Sequence, residues 1–123
     1  MDNEPLTVSG LKPGRYELRI DGTVVGTFDA SQLGAGVNLA ALHTPMADQA
    51  RRVLDLTWKH TAWRFFAWRG IQTQLSFDHD PAVQSAVASL VAALRAQELE
   101  IEQHEYAAAK PHVTHYTLAA LAD

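Results

Sequence analysis

R-Y-E-L-R-I-D-G-T-V-V-G-T-F, residues 15–28, is the stretch from which the fold is read. Tyr16, Leu18 and Ile20 alternate with Arg15, Glu17 and Arg19, the period of a strand with one apolar face. Asp21-Gly22 follows at once, and Thr23 to Phe28 resumes a β-rich run. Asp-Gly between two such runs tolerates positive φ at both turn positions, so it predicts a tight type I′ hairpin. Upstream, Leu6-Thr7-Val8 predicts a short lead-in strand, and Leu11-Lys12-Pro13-Gly14 a turn. Downstream, Asp29 with Gln32 three residues on has the spacing of a capping box, and opens a short helical turn that Gly34 and Gly36 end. Gly34-Ala35-Gly36 lacks the third glycine and the following long helix of a phosphate loop, so it is read as a helix stop and a turn.

Further out the period changes from two to that of a helix. Thr44 can cap and Pro45 suits a first helical position. Met46, Ala50, Val53, Leu56 and Trp63 then follow helical spacing, and the helix is predicted to run to about Trp68 with Gly70 closing it. After a loop through Asp78-His79-Asp80, Pro81 starts a second long helix whose apolar face is Val83, Val87, Leu90, Val91, Leu94 and Ile101. It is predicted to continue to about Ala109, where Lys110-Pro111 stops it. His112 to Leu118 reads as a terminal strand, with His112, Thr114, Tyr116 and Leu118 on one face. The expected class is α+β: a small antiparallel sheet of lead-in strand, hairpin and C-terminal strand, packed on an antiparallel pair of long helices. The first helix carries Arg51, Arg52, Lys59, Arg64 and Arg69 and the end of the second carries Glu98, Glu100, Glu102 and Glu105, opposite fields that favour antiparallel pairing.

The 123 residues predict a single domain, residues 1–123, that buries about two thirds of its unfolded surface. Hydrophobic residues at 47% and charged ones at 20% place it among globular chains. A formal net charge of -4 argues against a general nucleic-acid binder. With no cysteine, thiol chemistry, disulfide frameworks and zinc ribbons are excluded. No apolar run reaches the roughly 18 residues of a membrane span. M-D-N-E-P-L-T-V-S-G, residues 1–10, is acidic and lacks a basic start with an apolar run, so no signal peptide is expected.

Few residues stand in a recognisable catalytic pattern. No G-x-S-x-G elbow occurs, and Ser9, Ser31, Ser76, Ser85 and Ser89 lack a nucleophile's sequence context. Asp78, His79 and Asp80 form the densest group of candidate metal ligands: the carboxylates suit calcium, and His79 with them suits a transition metal. The simpler role is structural, with Asp80 capping the helix begun by Pro81 and Asp78 shaping the turn. His112 and His115 are three apart and point to opposite faces on a strand, which makes a poor metal pair. His43, His60 and His104 stand alone in sequence. Trp58, Lys59, Trp63, Arg64, Phe65, Phe66, Trp68 and Arg69 make a basic-aromatic stretch that could stack bases or sugars, contact a membrane surface, or form a seam between elements. Trp63, Phe65, Phe66 and Trp68 cannot all point inward on one helix. Trp58, Trp63, Phe66, Trp68 and Arg69 are therefore the expected interaction surface.

L-T-V-S-G-L-K-P-G-R-Y-E-L-R-I-D-G (6–22), G-V-N-L-A (36–40), T-P-M-A-D-Q-A (44–50) and A-W-R-G-I-Q (67–72) together resemble the C-terminal region of bacterial SGNH/GDSL-type hydrolases. G-V-N-L-A with T-P-M-x-x-Q-A is the more specific part, and L-K-P-G-x-Y-x-L the more widespread. The resemblance implies ester hydrolysis by a Ser-His-Asp set, often on acylated carbohydrates, in a family that includes exported enzymes. Its serine lies in a G-D-S block and its Asp and His in a D-x-x-H block, and this sequence has neither, so no catalytic residue is carried over. What the resemblance implies is a non-catalytic accessory domain that packs on an SGNH-type catalytic domain in cis or trans, or self-associates as a homodimer. The alternative is a small ester or lactone hydrolase using a metal-bound water, with a divalent ion such as calcium near Asp78, His79 and Asp80.

Overall fold

The hairpin forms where Asp21-Gly22 places it. In the computed structural model, which describes residues 2–73, 75 and 79–122, β2 (Arg15–Ile20) pairs antiparallel with β3 (Thr23–Asp29). The turn has φ of 50° at Asp21 and 80° at Gly22, the two positive values a type I′ turn requires. Partway along, the ladder shifts: Leu18 pairs with Gly26 and Arg19 with Val24, so Val25 is a bulge residue. The bulge brings Val25 against the core, and Gly26 leaves room for the Phe28 ring, which a Cβ there would meet at 2.9 Å.

The chain divides into two compact units, residues 1–49 with 111–123, and residues 50–110. In the first, β5 (Tyr116–Ala120) adds antiparallel to β2, giving the order β3-β2-β5 with Leu18 opposite Leu118. The strand starts later than His112 because Asp21 fixes its entry. The Asp21 N–H donates to the His115 carbonyl, and the His115 N–H donates to Asp21 Oδ1, each at 2.8 Å. Leu18, Ile20 and Leu39 form the core, lined by Leu6, Val25, Phe28, Leu42, Met46 and Leu118.

The lead-in strand does not join this sheet, contrary to the sequence expectation. β1 (Pro5–Leu6) pairs instead with β4 (Val37–Asn38) in a ladder of its own. The cause is local. α1 (Ala30–Ala35) carries the full Asp29–Gln32 capping box, and at Gly36 the chain turns so that residues 37–39 return alongside residues 4–6. Leu39 N–H then donates to the Glu4 carbonyl at 2.8 Å, and Val8 N–H to the Leu33 carbonyl at 2.9 Å. Those bonds use the segment's backbone groups, so no further sheet pairing is needed.

α2 (Pro45–Phe65) begins after a 3₁₀ turn at Leu39–Ala41, with Ala47 N–H donating to Thr44 Oγ1 at 3.1 Å. Gly70 does not close it. From Phe66 to Thr73 the helix widens into a π-helical segment that runs straight through Gly70. The wider turn suits this stretch. Trp63, Ala67 and Ile71, four apart, stay on the inner side, while Phe65, Phe66 and Trp68 turn outward. Thr73 Oγ1 donates to the Trp68 carbonyl at 2.9 Å, supplementing the backbone bonds. α3 (Pro81–Ala109) starts on Asp80, which accepts from Ala82 and Val83 N–H at 2.8 and 3.4 Å. Ile71, Val91 and Leu94 form the core of the second unit. Small antiparallel sheets and long helices make the class α+β.

Candidate functional site

The second unit places its polar side chains in two distinct settings. The first is a node between α2 and α3. Thr57, His60 and Arg64 lie on one stripe of α2, about a turn apart each. Glu98 and Glu105, seven apart on α3, share the stripe of the buried Leu94 and Ile101. The helices run antiparallel, so His60 sits between the two carboxylates. Its Nδ1 is 3.1 Å from Glu105 Oε2, and its Nε2 is 3.1 Å from Glu98 Oε1. Thr57 Oγ1 donates to Glu105 Oε1 at 2.6 Å, and Arg64 Nε is 3.5 Å from Glu98 Oε1.

The charges follow from this geometry. Partial burial of His60 opposes its protonation, but its hydrogen bonds to Glu105 and Glu98 and their negative charge outweigh that, and its pKa is raised above 6.5. Glu105 is held below 4.5, chiefly by the Thr57 hydroxyl and then by His60. A histidine with a carboxylate on each nitrogen donates from both, which is the imidazolium form. It has no nitrogen left to face a substrate, so this node ties the helices together and is a poor general base.

The second setting is a groove beside the node, of about 820 Å³, between α2 with its π-helical extension and α3. Phe65, Trp68, Val91 and Leu99 supply its apolar wall, and Arg64, Arg95, Glu98 and Glu102 its polar edge. On another side of α2, Lys59, Ala62, Trp63 and Phe66 line an apolar cleft of about 260 Å³. Trp63 and Phe66 meet there edge to face, with ring centres 6.5 Å apart.

The residues singled out in the sequence fall as follows. Trp58 and Trp68 are 67% and 60% exposed, Phe66 is 52% exposed, and Trp63 is half-buried against the Ile71 core. Arg69 lies over the Phe65 and Trp68 rings at 5.8 and 5.9 Å, which covers part of that aromatic surface. Asp80 is the α3 cap, His79 is exposed, and Asp78 lies outside the described residues. Among the described residues, no group of three or more His, Asp or Glu is placed to hold a metal ion. His43 pairs with Asp48 at 3.3 Å and His112 with Asp21 at 3.6 Å, both exposed. Among the described residues, no helix is long and apolar enough to cross a membrane.

The His60 node escaped the sequence because its members are 38 and 45 residues apart. A signal was nonetheless present. Glu98 and Glu105 interrupt the apolar stripe of α3, and charges on an inward stripe call for a partner on the facing helix.

No family model matches this chain, and no curated protein matches it. Among solved structures it is similar to a gut microbial diltiazem-metabolizing enzyme, with a TM-score of 0.71 and 24% identity over 98% of this chain and 34% of that chain. The likeness is one of fold. This chain spans about a third of that enzyme's length.

Proposed function

We propose that the chain is a non-catalytic accessory domain of an SGNH-type ester hydrolase, associating with a catalytic domain carried in cis or supplied in trans. The observation that carries this reading is the asymmetry of the structural match. Nearly all of this chain, 98%, corresponds to 34% of an enzyme. The remaining two thirds of that enzyme has no counterpart in these residues. The blocks at 6–22, 36–40, 44–50 and 67–72 support the same reading, since they resemble a region that follows the catalytic residues in the family. The Trp63–Phe66 cleft, apolar and edged by Lys59, is a surface suited to such a partner.

Calorimetric titration tests this reading, using the catalytic domain of an SGNH-type esterase made without its own C-terminal region. Saturable binding is expected. Phe66→Ala should weaken it by roughly 5- to 30-fold, the loss of one aromatic anchor worth about 1–2 kcal/mol. No heat of binding would overturn the reading. So would ester turnover by the purified chain alone. If that turnover required a divalent ion such as calcium and failed in Asp78→Ala with Asp80→Asn, a metal-bound water at residues 78–80 would take its place.

A further inference from the structure

We propose that the groove between α2 and α3 is filled by a second copy of this chain, the two α3 helices pairing antiparallel about a two-fold axis at Leu99. The inference uses a different surface from the Trp63–Phe66 cleft and does not rest on the accessory role.

The helix pair is incomplete by itself. α2 buries none of its residues, and α3 buries only Val91, Leu94 and Ile101. Beside this inner seam each helix carries an outer one. On α2, Leu54, Trp58, Thr61 and Phe65 are spaced by four, three and four residues, and Trp68 follows on the π-helical segment. On α3, Ala92, Arg95, Leu99, Glu102 and Tyr106 are spaced by three, four, three and four. That alternation is the heptad spacing of a helix that packs against another. The two seams converge, since Thr61, Phe65, Trp68, Arg95, Leu99 and Glu102 all line the same groove. Large side chains on them face solvent: Phe65 is 62% exposed, Leu99 60% and Tyr106 72%.

Charge complementarity selects the occupant. Arg95 and Glu102 make no ion pair among the described residues, although each lies on the groove. Antiparallel pairing about Leu99 sets Arg95 opposite Gln103 of the second copy, one residue from Glu102 and within reach of its carboxylate, and the two-fold repeats the pair. The same pairing sets Tyr106 opposite the small Ala92, and Leu99 opposite itself. A seam carrying both signs, with its large and small residues at mirrored positions, complements itself better than a partner of one sign. Trp58, Phe65, Trp68 and Tyr106, side chains of about 150–250 Å² each and more than half exposed, supply roughly half of the about 800 Å² per partner that a stable interface buries.

Sedimentation equilibrium of the full chain tests the proposal. A dimer mass is expected at micromolar concentration. Arg95→Glu and Glu102→Arg should each raise the dissociation constant tenfold or more, and the double exchange should restore it. Arg95 is exposed and Glu102 only partly buried, and neither belongs to the core, so helicity by circular dichroism should be unchanged. Leu99→Glu, which sets like charges together on the axis, should give a monomer. A monomeric wild-type chain would overturn the proposal. So would a dimer indifferent to Arg95→Glu and Leu99→Glu, or a groove whose variants abolish binding of the esterase catalytic domain to a monomeric chain. Phe66→Ala should leave the dimer intact, which separates this interface from the cleft.

Discussion

Asp21 holds a left-handed backbone at φ 50° and clamps the entry of β5 through two bonds to His115. Asp21→Ala removes the acceptor for the His115 N–H and puts a side chain without local polar support into that conformation. Urea denaturation should show a loss of about 1–2 kcal/mol. Asp21→Asn keeps both features and should lose much less. Leu18, fully buried at the centre of the sheet opposite Leu118, has a different role. Leu18→Ala leaves a cavity in the core of the first unit and should cost about 2–5 kcal/mol, also read by urea. Asp80 separates a cap from a ligand. Asp80→Ala should destabilise by about 1 kcal/mol in thermal unfolding, and Asp80→Asn by only a few tenths, because Asn caps as well as Asp.

At the scale of elements, features decided by neighbouring residues were legible, and of those decided across the chain the antiparallel helix pairing and the place of the C-terminal strand in the sheet were legible while others were not. The Asp21-Gly22 turn, the Asp29–Gln32 box and the Thr44 and Asp80 caps each depend on a few consecutive residues, and each stands where the sequence puts it. The ladder between β1 and β4 depends on how the chain returns after Gly36, and the π-helical segment on which aromatic residues α3 can accept, so neither was read. The excess of aromatic residues over inward positions was visible. The His60 node was not, because its members meet only once the helices pair. That node makes the pairing of α2 and α3 pH-dependent. His60 has a raised pKa, so its contribution is complete below 6.5 and is lost as pH rises through the raised value. Glu105 has a lowered pKa, so its contribution is complete above 4.5 and is lost as pH falls through the lowered value. The melting temperature should therefore exceed that of His60→Gln most between 4.5 and 6.5, and by less on either side. A gap that does not change with pH would contradict the charged node.

At the scale of the whole molecule, two surfaces lead outward from the helices. The Trp63–Phe66 cleft and the Phe65–Trp68–Leu99 groove lie on different sides of α2, so a catalytic domain and a second copy need not compete. Both expose aromatic side chains that a helix pair closed on itself would have covered. The accessory role proposed above is one of association through such a surface. The most direct measurement of that claim is ester turnover in a mixture. An SGNH-type catalytic domain made without its C-terminal region is assayed alone, with this chain, and with Phe66→Ala. Turnover of the catalytic domain should rise on adding this chain, rise less with Phe66→Ala, and be absent when this chain is assayed by itself. Turnover by this chain alone, or a catalytic domain indifferent to its presence, would contradict the account.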